Sequence, residues 1–362
     1  MNRTIVFTGG GTAGHVFPGL TVLEYVRDHW SGDIVWIGSA SGMERRIVAA
    51  AGVRYIGIPS GKLRRYLSLR NCIDILKIIA GFTAAYLILR KLQAVAVFSK
   101  GGYVTVPVIL AARLQKLYTA THESDFDPGL ATKINARSVS HIFVSFPQTK
   151  QFFSQNLRRR VIISGNPVRK EITAGRAERA NDLFNIPSDR SLLFIMGGSQ
   201  GARQINRLIK EIIQELTKSY VVIHQMGRLD FVPSRLQFYR TFDFIGGELP
   251  HILARADLIV SRAGANSLWE YGVLKKPAVL IPLSGPASRG DQVRNAEAFS
   301  RLGAAVVLTG NEVTAEKLLE TVIDLMKDKK ERERMGEAAA ELCNRNADEI
   351  IGETLLSNLR GD

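Results

Sequence analysis

The chain has 362 residues, 48 Lys and Arg against 34 Asp and Glu, a formal charge of +14, and 46% hydrophobic and 23% charged residues. That length suits two domains of ordinary size, and the composition excludes global disorder. Two cysteines, Cys72 and Cys343, lie far apart; they exclude a disulfide framework and fit a reducing compartment. The excess positive charge favours an anionic partner: nucleic acid, anionic lipid or a phosphorylated substrate.

Thr4-Ile5-Val6-Phe7 reads as a short buried strand, and Leu20-Thr21-Val22-Leu23-Glu24 begins a helical pattern. Between them runs Thr8-Gly9-Gly10-Gly11-Thr12-Ala13-Gly14-His15-Val16-Phe17-Pro18-Gly19. A strand, a glycine-rich turn and a helix together can present backbone amides and a helix N-terminus to an anion, and His15 adds a side chain that titrates near neutrality. The spacing matches neither the dinucleotide fingerprint nor a P-loop, so a purely structural turn is the competing reading. No signal-peptide pattern opens the chain, which leads to the expectation of a cytoplasmic protein.

Ile34-Val35-Trp36-Ile37-Gly38 and Arg54-Tyr55-Ile56-Gly57-Ile58 read as further strands, with a helix beginning at Met43-Glu44-Arg45 between them. This alternation predicts a parallel sheet covered on both faces. A helical stretch from 73 to 91 places Ile75, Ile78, Ile79, Phe82 and Tyr86 on one face, with Lys62, Arg64, Arg65 and Arg70 before it and Arg90 and Lys91 after it. It reads either as a core helix beside a solvated basic loop or as a surface that docks on anionic lipid. Its longest apolar run, 78–89, is too short to span a membrane, which needs roughly 20 residues.

Ala94-Val95-Ala96-Val97-Phe98 is a buried strand ending in the turn Ser99-Lys100-Gly101-Gly102-Tyr103. The polar segment from Thr119 to Gly129 reads as a loop after another strand, with His122 either packed or offered to a ligand beside Glu123. Strands at 142–146 and 161–164 precede a hinge at Gly165-Asn166-Pro167-Val168-Arg169. About half a chain after the first glycine loop comes a second: Leu192-Leu193-Phe194-Ile195-Met196 enters Gly197-Gly198-Ser199-Gln200-Gly201-Ala202-Arg203 and a helix beginning near Ile205. Strands follow at 220–223, 241–245, 258–260 and 278–281. Arg262-Ala263-Gly264-Ala265 opens a helix that carries Glu270, either a ligand group or a solvated carboxylate, and Arg289 to Ala296 reads as a polar turn. From Ala315 the chain is charged and helical.

Taken in order, Gly10 to Gly19, Gly101-Gly102-Tyr103, His122-Glu123, Gly165 to Arg169, Gly197 to Ala202, Arg262 to Glu270, and Gln292 with Asn295 make nearly the whole chain similar to the MurG family of bacterial glycosyltransferases. That family adds N-acetylglucosamine to the undecaprenyl-linked muramyl-pentapeptide of peptidoglycan synthesis. The resemblance implies an α/β fold of the GT-B architecture, with two Rossmann-like domains facing across a cleft. It assigns acceptor binding and membrane docking to residues 1–166, UDP-N-acetylglucosamine to residues 167–340, and residues 341–362 to a C-terminal helix packing back on the first domain.

The resemblance also implies site residues. His15 is the candidate general base, with Glu123 as the second catalytic candidate. Donor binding falls to Thr12, Ala13, Gly14, Asp125, Arg169, Ser199, Gln200, Ile245, Arg262, Gly264, Ala265, Glu270, Gln292 and Asn295, and acceptor binding to Gly101, Gly102, Tyr103 and His122. Lys62, Leu63, Arg64, Arg65, Ile75, Ile78, Ile79 and Phe82 become the membrane-docking surface of a peripheral protein on the cytoplasmic face of the cell (inner) membrane.

The implied reaction is inverting displacement at the anomeric carbon, with the departing diphosphate met by loop amides, helix N-termini and Arg169. Asp125-Phe126-Asp127 fits the D-x-D spacing of metal-dependent transferases, but three residues match easily by chance; no metal or other cofactor is expected. Partners are UDP-N-acetylglucosamine, the undecaprenyl-linked muramyl-pentapeptide, an anionic membrane surface and other cell-wall synthesis proteins.

Three positions depart from the family: Asp125 where an Asn is usual, Ala13 where a Gly is usual, and Asp291 where some members carry Gln. Alternatives are another GT-B lipid glycosyltransferase and a non-catalytic sugar-nucleotide-binding protein. Nucleic acid is not expected, because Tyr66 is the only aromatic between Lys62 and Arg70 and Arg158-Arg159-Arg160 holds none.

Overall fold

The computed structural model describes residues 3–61, 69–198, 201–285, 290–343 and 346–360. The chain divides into two units, one of Met1–Val168 with Arg345–Asp362, the other of Arg169–Asn344.

The first unit begins β1 (Thr4–Thr8), α1 (Phe17–His29), β2 (Asp33–Ser39), α2 (Glu44–Ala50), β3 (Arg54–Ile58) and α3 (Leu69–Lys91). It continues with β4 (Ala94–Ser99), α4 (Thr105–Leu114), β5 (Tyr118–Glu123), α5 (Leu130–Asn135), β6 (His141–Val144), α6 (Gln155–Arg158) and β7 (Val161–Ile163). These strands form one parallel sheet in the order β3-β2-β1-β4-β5-β6-β7.

The second unit comprises α7 (Lys170–Thr173), α8 (Ala177–Phe184), β8 (Ser191–Met196), α9 (Arg203–Ser219), β9 (Tyr220–Gln225), β10 (Tyr239–Phe242) and α10 (Leu249–Arg255). It closes with β11 (Leu258–Ser261), α11 (Ala265–Val273), β12 (Ala278–Leu280), α12 (Asp291–Arg301), β13 (Ala305–Val307), α13 (Ala315–Lys327) and α14 (Lys329–Cys343). Its parallel sheet runs β10-β9-β8-β11-β12-β13. The last helix, α15 (Ala347–Arg360), belongs to the first unit.

The strands form where unbroken apolar runs let both faces of a parallel sheet be buried. All five residues of β1 are buried, and Ile5 pairs in register with Ile34 on one side and Ala96 on the other. Helix α9 is one-sided: Ile205, Leu208, Ile209, Ile212, Ile213 and Leu216 recur at helical spacing and bury against β8, β9 and β11. Each such side chain contributes roughly 1.5–3 kcal/mol. Ile351, Leu355, Leu356 and Leu359 of α15 join the core of β1 and α1, and the Tyr25 hydroxyl donates to Glu353 at 2.6 Å.

The structure departs from the sequence expectations at several elements. Residues 341–343 end α14 rather than begin the last helix, which starts at Ala347. Thr119 to Glu123 is strand, because alternate small and polar side chains are buried between β4 and β6. Residues 291–296 are the first turns of α12, since Ala296 and Phe299 give that polar stretch a buried stripe. The strand expected at 241–245 is β10, two residues earlier, where Tyr239 to Phe242 pairs with β9.

The apolar face expected on α3 also divides. Phe82 and Tyr86 pack on the core shared with α4, beside buried Ala85 and Leu89. Ile75 and Ile79 are exposed, together with Leu76 and Leu87, and Ile78 is half-buried. Lys62, Leu63, Arg64 and Arg65 lie outside the described residues.

Candidate functional site

In a doubly wound sheet, ligands meet the carboxyl ends of strands where the strand order reverses. In the first unit that point lies between β1 and β4, and in the second between β8 and β11. The glycine loop after β1 and the turn after β4 flank the first; the loop after β8 and the turn after β11 flank the second.

At the first switch point, three side chains hold the loop by its backbone. Trp36 Nε1 donates to the Gly9 carbonyl at 3.1 Å. Glu44, completely buried, accepts from the amides of Ser39 and Gly11 at 2.9 and 3.3 Å. The His15 ring sits with Nδ1 3.1 Å from both the Gly10 carbonyl and Thr12 Oγ1. A carbonyl only accepts, so Nδ1 carries the proton and the basic lone pair falls on Nε2.

Ala13 and Gly14 lie with His15 in a single 3-10 turn. Ala13 keeps negative φ, so its Cβ replaces the usual glycine without strain. The Gly101-Gly102-Tyr103 turn closes over this loop. A Cβ on Gly102, whose φ is +91°, would stand 2.2 Å from the Gly10 carbonyl oxygen, and one on Gly101 would touch the His15 ring at 3.5 Å. Glycine is needed where the two backbones approach this closely.

The neighbouring β5 edge differs from expectation. His122 is 1% exposed and its Nε2 donates to the Gly165 carbonyl at 2.9 Å, while burial holds its pKa well below the ordinary imidazole value. The ring is a buried strap and not a group presented to an acceptor, because the strand turns it inward. Glu123 is also buried, and its two carboxylate oxygens accept from the amides of Asp125 and Gly129 at 3.1 and 3.0 Å, clamping the loop between them. Asp125 is half-buried in that loop, and Asp127 pairs with Lys133 at 3.6 Å.

In the second unit, Gly197 and Gly198 leave β8, and α9 begins after Ala202 with no side chain capping its N-terminus. Ser199 and Gln200 lie outside the described residues. Buried Gln225 at the end of β9 donates to the Gly198 carbonyl at 3.0 Å and accepts from the Ile245 amide at 2.8 Å. The Ile245 N–H is thereby committed to Gln225.

Arg169, just before α7, donates through Nε and Nη2 to Oε1 of Glu270 on α11, at 3.1 and 2.8 Å. Glu270 is buried, and desolvation raises its pKa against the opposing pull of Arg169. Arg262 Nη1 donates to Gln204 Oε1, the Ile281 carbonyl and the Pro282 carbonyl at 2.9, 2.9 and 3.3 Å, lacing β11, β12 and α9 together.

Gly264 and Ala265 form the N-terminus of α11. Gln292 accepts from the Leu283 amide at 2.9 Å, which turns its NH₂ to the other side. Asn295 is fully buried and donates to the Ala263 carbonyl at 3.2 Å. It shapes the turn after β11 from beneath and is not a direct donor contact.

Sequence reading missed Glu44, Lys100 and Gln225. A charged or amide side chain inside a helix start, a turn or a strand end carries no local sign that it will be buried against distant backbone. Among the described residues, no cluster of three or more His, Cys, Asp or Glu is arranged to hold a metal.

Residues 5–144 match the Glycosyltransferase family 28 N-terminal domain, and residues 192–350 the Glycosyltransferase family 28 C-terminal domain. A UDP-N-acetylglucosamine--N-acetylmuramyl-(pentapeptide) pyrophosphoryl-undecaprenol N-acetylglucosamine transferase of Treponema denticola is 41% identical, with 98% of this chain and 97% of that protein covered. A relative of the same description from Bacillus thuringiensis is 43% identical over 89% of this chain and 91% of its own length. Among solved structures, Acinetobacter baumannii MurG superposes with a TM-score of 0.76 at 23% identity, covering 99% of this chain and 100% of that one. The likeness in structure supports the fold of two Rossmann-like domains, and the identity over nearly the full length goes further: the chain belongs to the MurG family of glycosyltransferases.

Proposed function

We propose that the chain transfers N-acetylglucosamine from UDP-N-acetylglucosamine to undecaprenyl-pyrophosphoryl-N-acetylmuramyl-pentapeptide, converting lipid I to lipid II in peptidoglycan synthesis. The chain is a hexosyltransferase of glycosyltransferase family 28. The observation that carries the reading is 41% identity along 98% of the chain to a curated relative of that activity.

In this reading His15 takes the proton of the muramyl C4 hydroxyl. Its Nδ1–H is anchored on the Gly10 carbonyl, so the lone pair of Nε2 is the one that acts. The hydroxyl oxygen attacks the anomeric carbon from the face opposite UDP, the bond to the diphosphate breaks, and the configuration inverts to a β-1,4 link. Charge on the departing diphosphate is met by the amides of the loop after β8, by the uncapped N-terminus of α9 and by Arg169. These groups supply the potential without a cofactor.

The Ile245 carbonyl accepts from the base, and Oε2 of Glu270 accepts from the ribose, since Oε1 holds Arg169. The NH₂ of Gln292 donates to the sugar. Gly101, Gly102 and Tyr103 line the acceptor side of the His15 loop.

The protein works as a peripheral enzyme on the cytoplasmic face of the membrane that holds its lipid substrate. Support comes from exposed Leu76 and Leu87 on α3, 67% and 61% accessible, near exposed Lys77, Arg90 and Lys91. No helix among the described residues is long and apolar enough to cross a membrane.

The test is UDP release from UDP-N-acetylglucosamine with and without a short-chain lipid I analogue, for the wild type and His15→Ala. The expected result is acceptor-dependent release that falls at least a hundredfold in the variant while donor binding persists. Donor binding with no release under any acceptor would overturn the transferase reading. Equal rates in both proteins would remove His15 from its role.

A further inference from the structure

Lys100 is 2% exposed, an unusual burial for an ammonium. Its stem lies beneath the first glycine loop: Cβ atoms placed on Gly9 and Gly19 would stand 3.3 and 3.5 Å from Lys100 Cβ, and Trp36 fills the same space. Its Nζ donates to Ser124 Oγ at 2.6 Å, and Ser124 Oγ donates to Asn166 Oδ1 at 2.6 Å. The carboxylates whose fields act on the ammonium are Glu123, on β5, and Asp125, in the loop that follows. His122, a further titratable neighbour, is kept neutral in part by Lys100 itself. Lys100 therefore connects the turn beneath His15 with the loop that carries Asp125.

We propose that Lys100 is a positioning residue for the transfer reaction: its ammonium balances Glu123 and Asp125 and so holds the 123–129 loop in the arrangement that meets the sugar substrate. The proposal rests on the transferase reading above. With Lys100 protonated, the trio of Lys100, Glu123 and Asp125 carries a net charge of one negative unit. Without the lysine, buried Glu123 and half-buried Asp125 lose the ammonium whose field acts between them, and the loop they share must shift. Burial lowers the Lys100 pKa to about 8, and the two carboxylates oppose that fall. The balance is accordingly lost as pH rises through that value.

The experiment is a double-mutant cycle in the full-length chain, measuring kcat and KM for N-acetylglucosamine transfer to a short-chain lipid I analogue. Lys100→Met is expected to lower kcat about a hundredfold, the order of loss for an ångström-scale misplacement. Asp125→Asn alone is expected to lower it about tenfold through a lost sugar contact. In the double variant the net charge returns to its native value, and kcat is expected to recover to within about tenfold of wild type. Multiplied losses in the double variant would overturn the proposal, because a lysine that merely fills space would not be rescued by a distant amide.

Wild type and Asp125→Asn keep the test alive should Lys100→Met fail to fold. Wild-type kcat is expected to fall as pH rises through about 8. In Asp125→Asn that fall is expected at lower pH, because the carboxylate no longer helps to hold the proton on Lys100. No alkaline fall in wild type, or an unshifted one in the variant, would overturn the proposal. A wild type that binds UDP-N-acetylglucosamine yet transfers nothing would instead overturn the functional reading.

Discussion

Replacing Glu44 by Gln changes one atom's chemistry at nearly constant shape, and the structure gives a definite cost. Both carboxylate oxygens of fully buried Glu44 accept backbone N–H groups, Ser39 at 2.9 Å in a buried bond and Gly11 at 3.3 Å in a partly buried one. A carboxamide keeps one acceptor and turns its NH₂ toward the other amide, leaving two donors face to face. The loss of one charge-assisted bond with a stranded amide amounts to about 2–4 kcal/mol.

The two units need not unfold together, so the first is best followed alone. In a Trp269→Phe background the fluorescence of Trp30 and Trp36 reports only that unit. The expected downward shift of its Tm is roughly 5–15 °C, at about 2–4 °C per kcal/mol for a domain of this size. Transfer should slow as well, because the loop that Glu44 holds is the one whose Gly10 carbonyl orients His15. Affinity for UDP-N-acetylglucosamine should persist. A variant within 0.5 kcal/mol of wild type and with unchanged kcat would refute the assignment.

Two further outcomes follow from exposure and burial. Leu76→Glu with Leu87→Glu on α3 should lower binding to vesicles containing phosphatidylglycerol at least tenfold in a sedimentation assay, with transfer to a water-soluble acceptor retained; undiminished binding would place the docking surface elsewhere. His224 is buried between Tyr239 and Asn206 and its pKa falls to about 3, against roughly 6.5 when unfolded. The folded state stays neutral while the unfolded state takes a proton, so its contribution to stability is full above pH 6.5 and is lost as pH falls toward 3. Between pH 7 and 5 the loss is about 2 kcal/mol. His224→Gln should flatten that slope in urea unfolding followed by Trp269, and an unchanged slope would sink the argument.

Much of the fold was written locally. Ile34 to Gly38 and Ala94 to Phe98 are strands because unbroken β-branched and apolar runs have no other way to bury both faces, and Arg54 to Ile58 is the edge strand beside them, with Arg54 and Gly57 exposed. The glycine turns at 9–11, 101–102 and 197–198 were legible because only a chain that must reverse sharply or approach another backbone gathers glycine there. His15 stood out as a titratable side chain in such a turn. Even the helix at 291–301 was obscured only because its first turn is polar, with the buried Asn295 resembling a surface residue.

Tertiary structure decided which polar residues work from the interior. Glu44 reaches Gly11, Gln225 reaches Ile245, Lys100 reaches Ser124, and Arg169 reaches Glu270 across long intervals of sequence. His122 and Asn295, legible as polar members of ligand-like motifs, became ties to the Gly165 and Ala263 carbonyls. Hydrophobic spacing and glycine placement constrain neighbours along the chain, so the sequence alone determined most of the strands, the glycine turns and the plan of two α/β domains. A hydrogen bond from a side chain to a remote backbone group depends on how the sheet order brings strand ends together, and that exists only once the whole unit has packed.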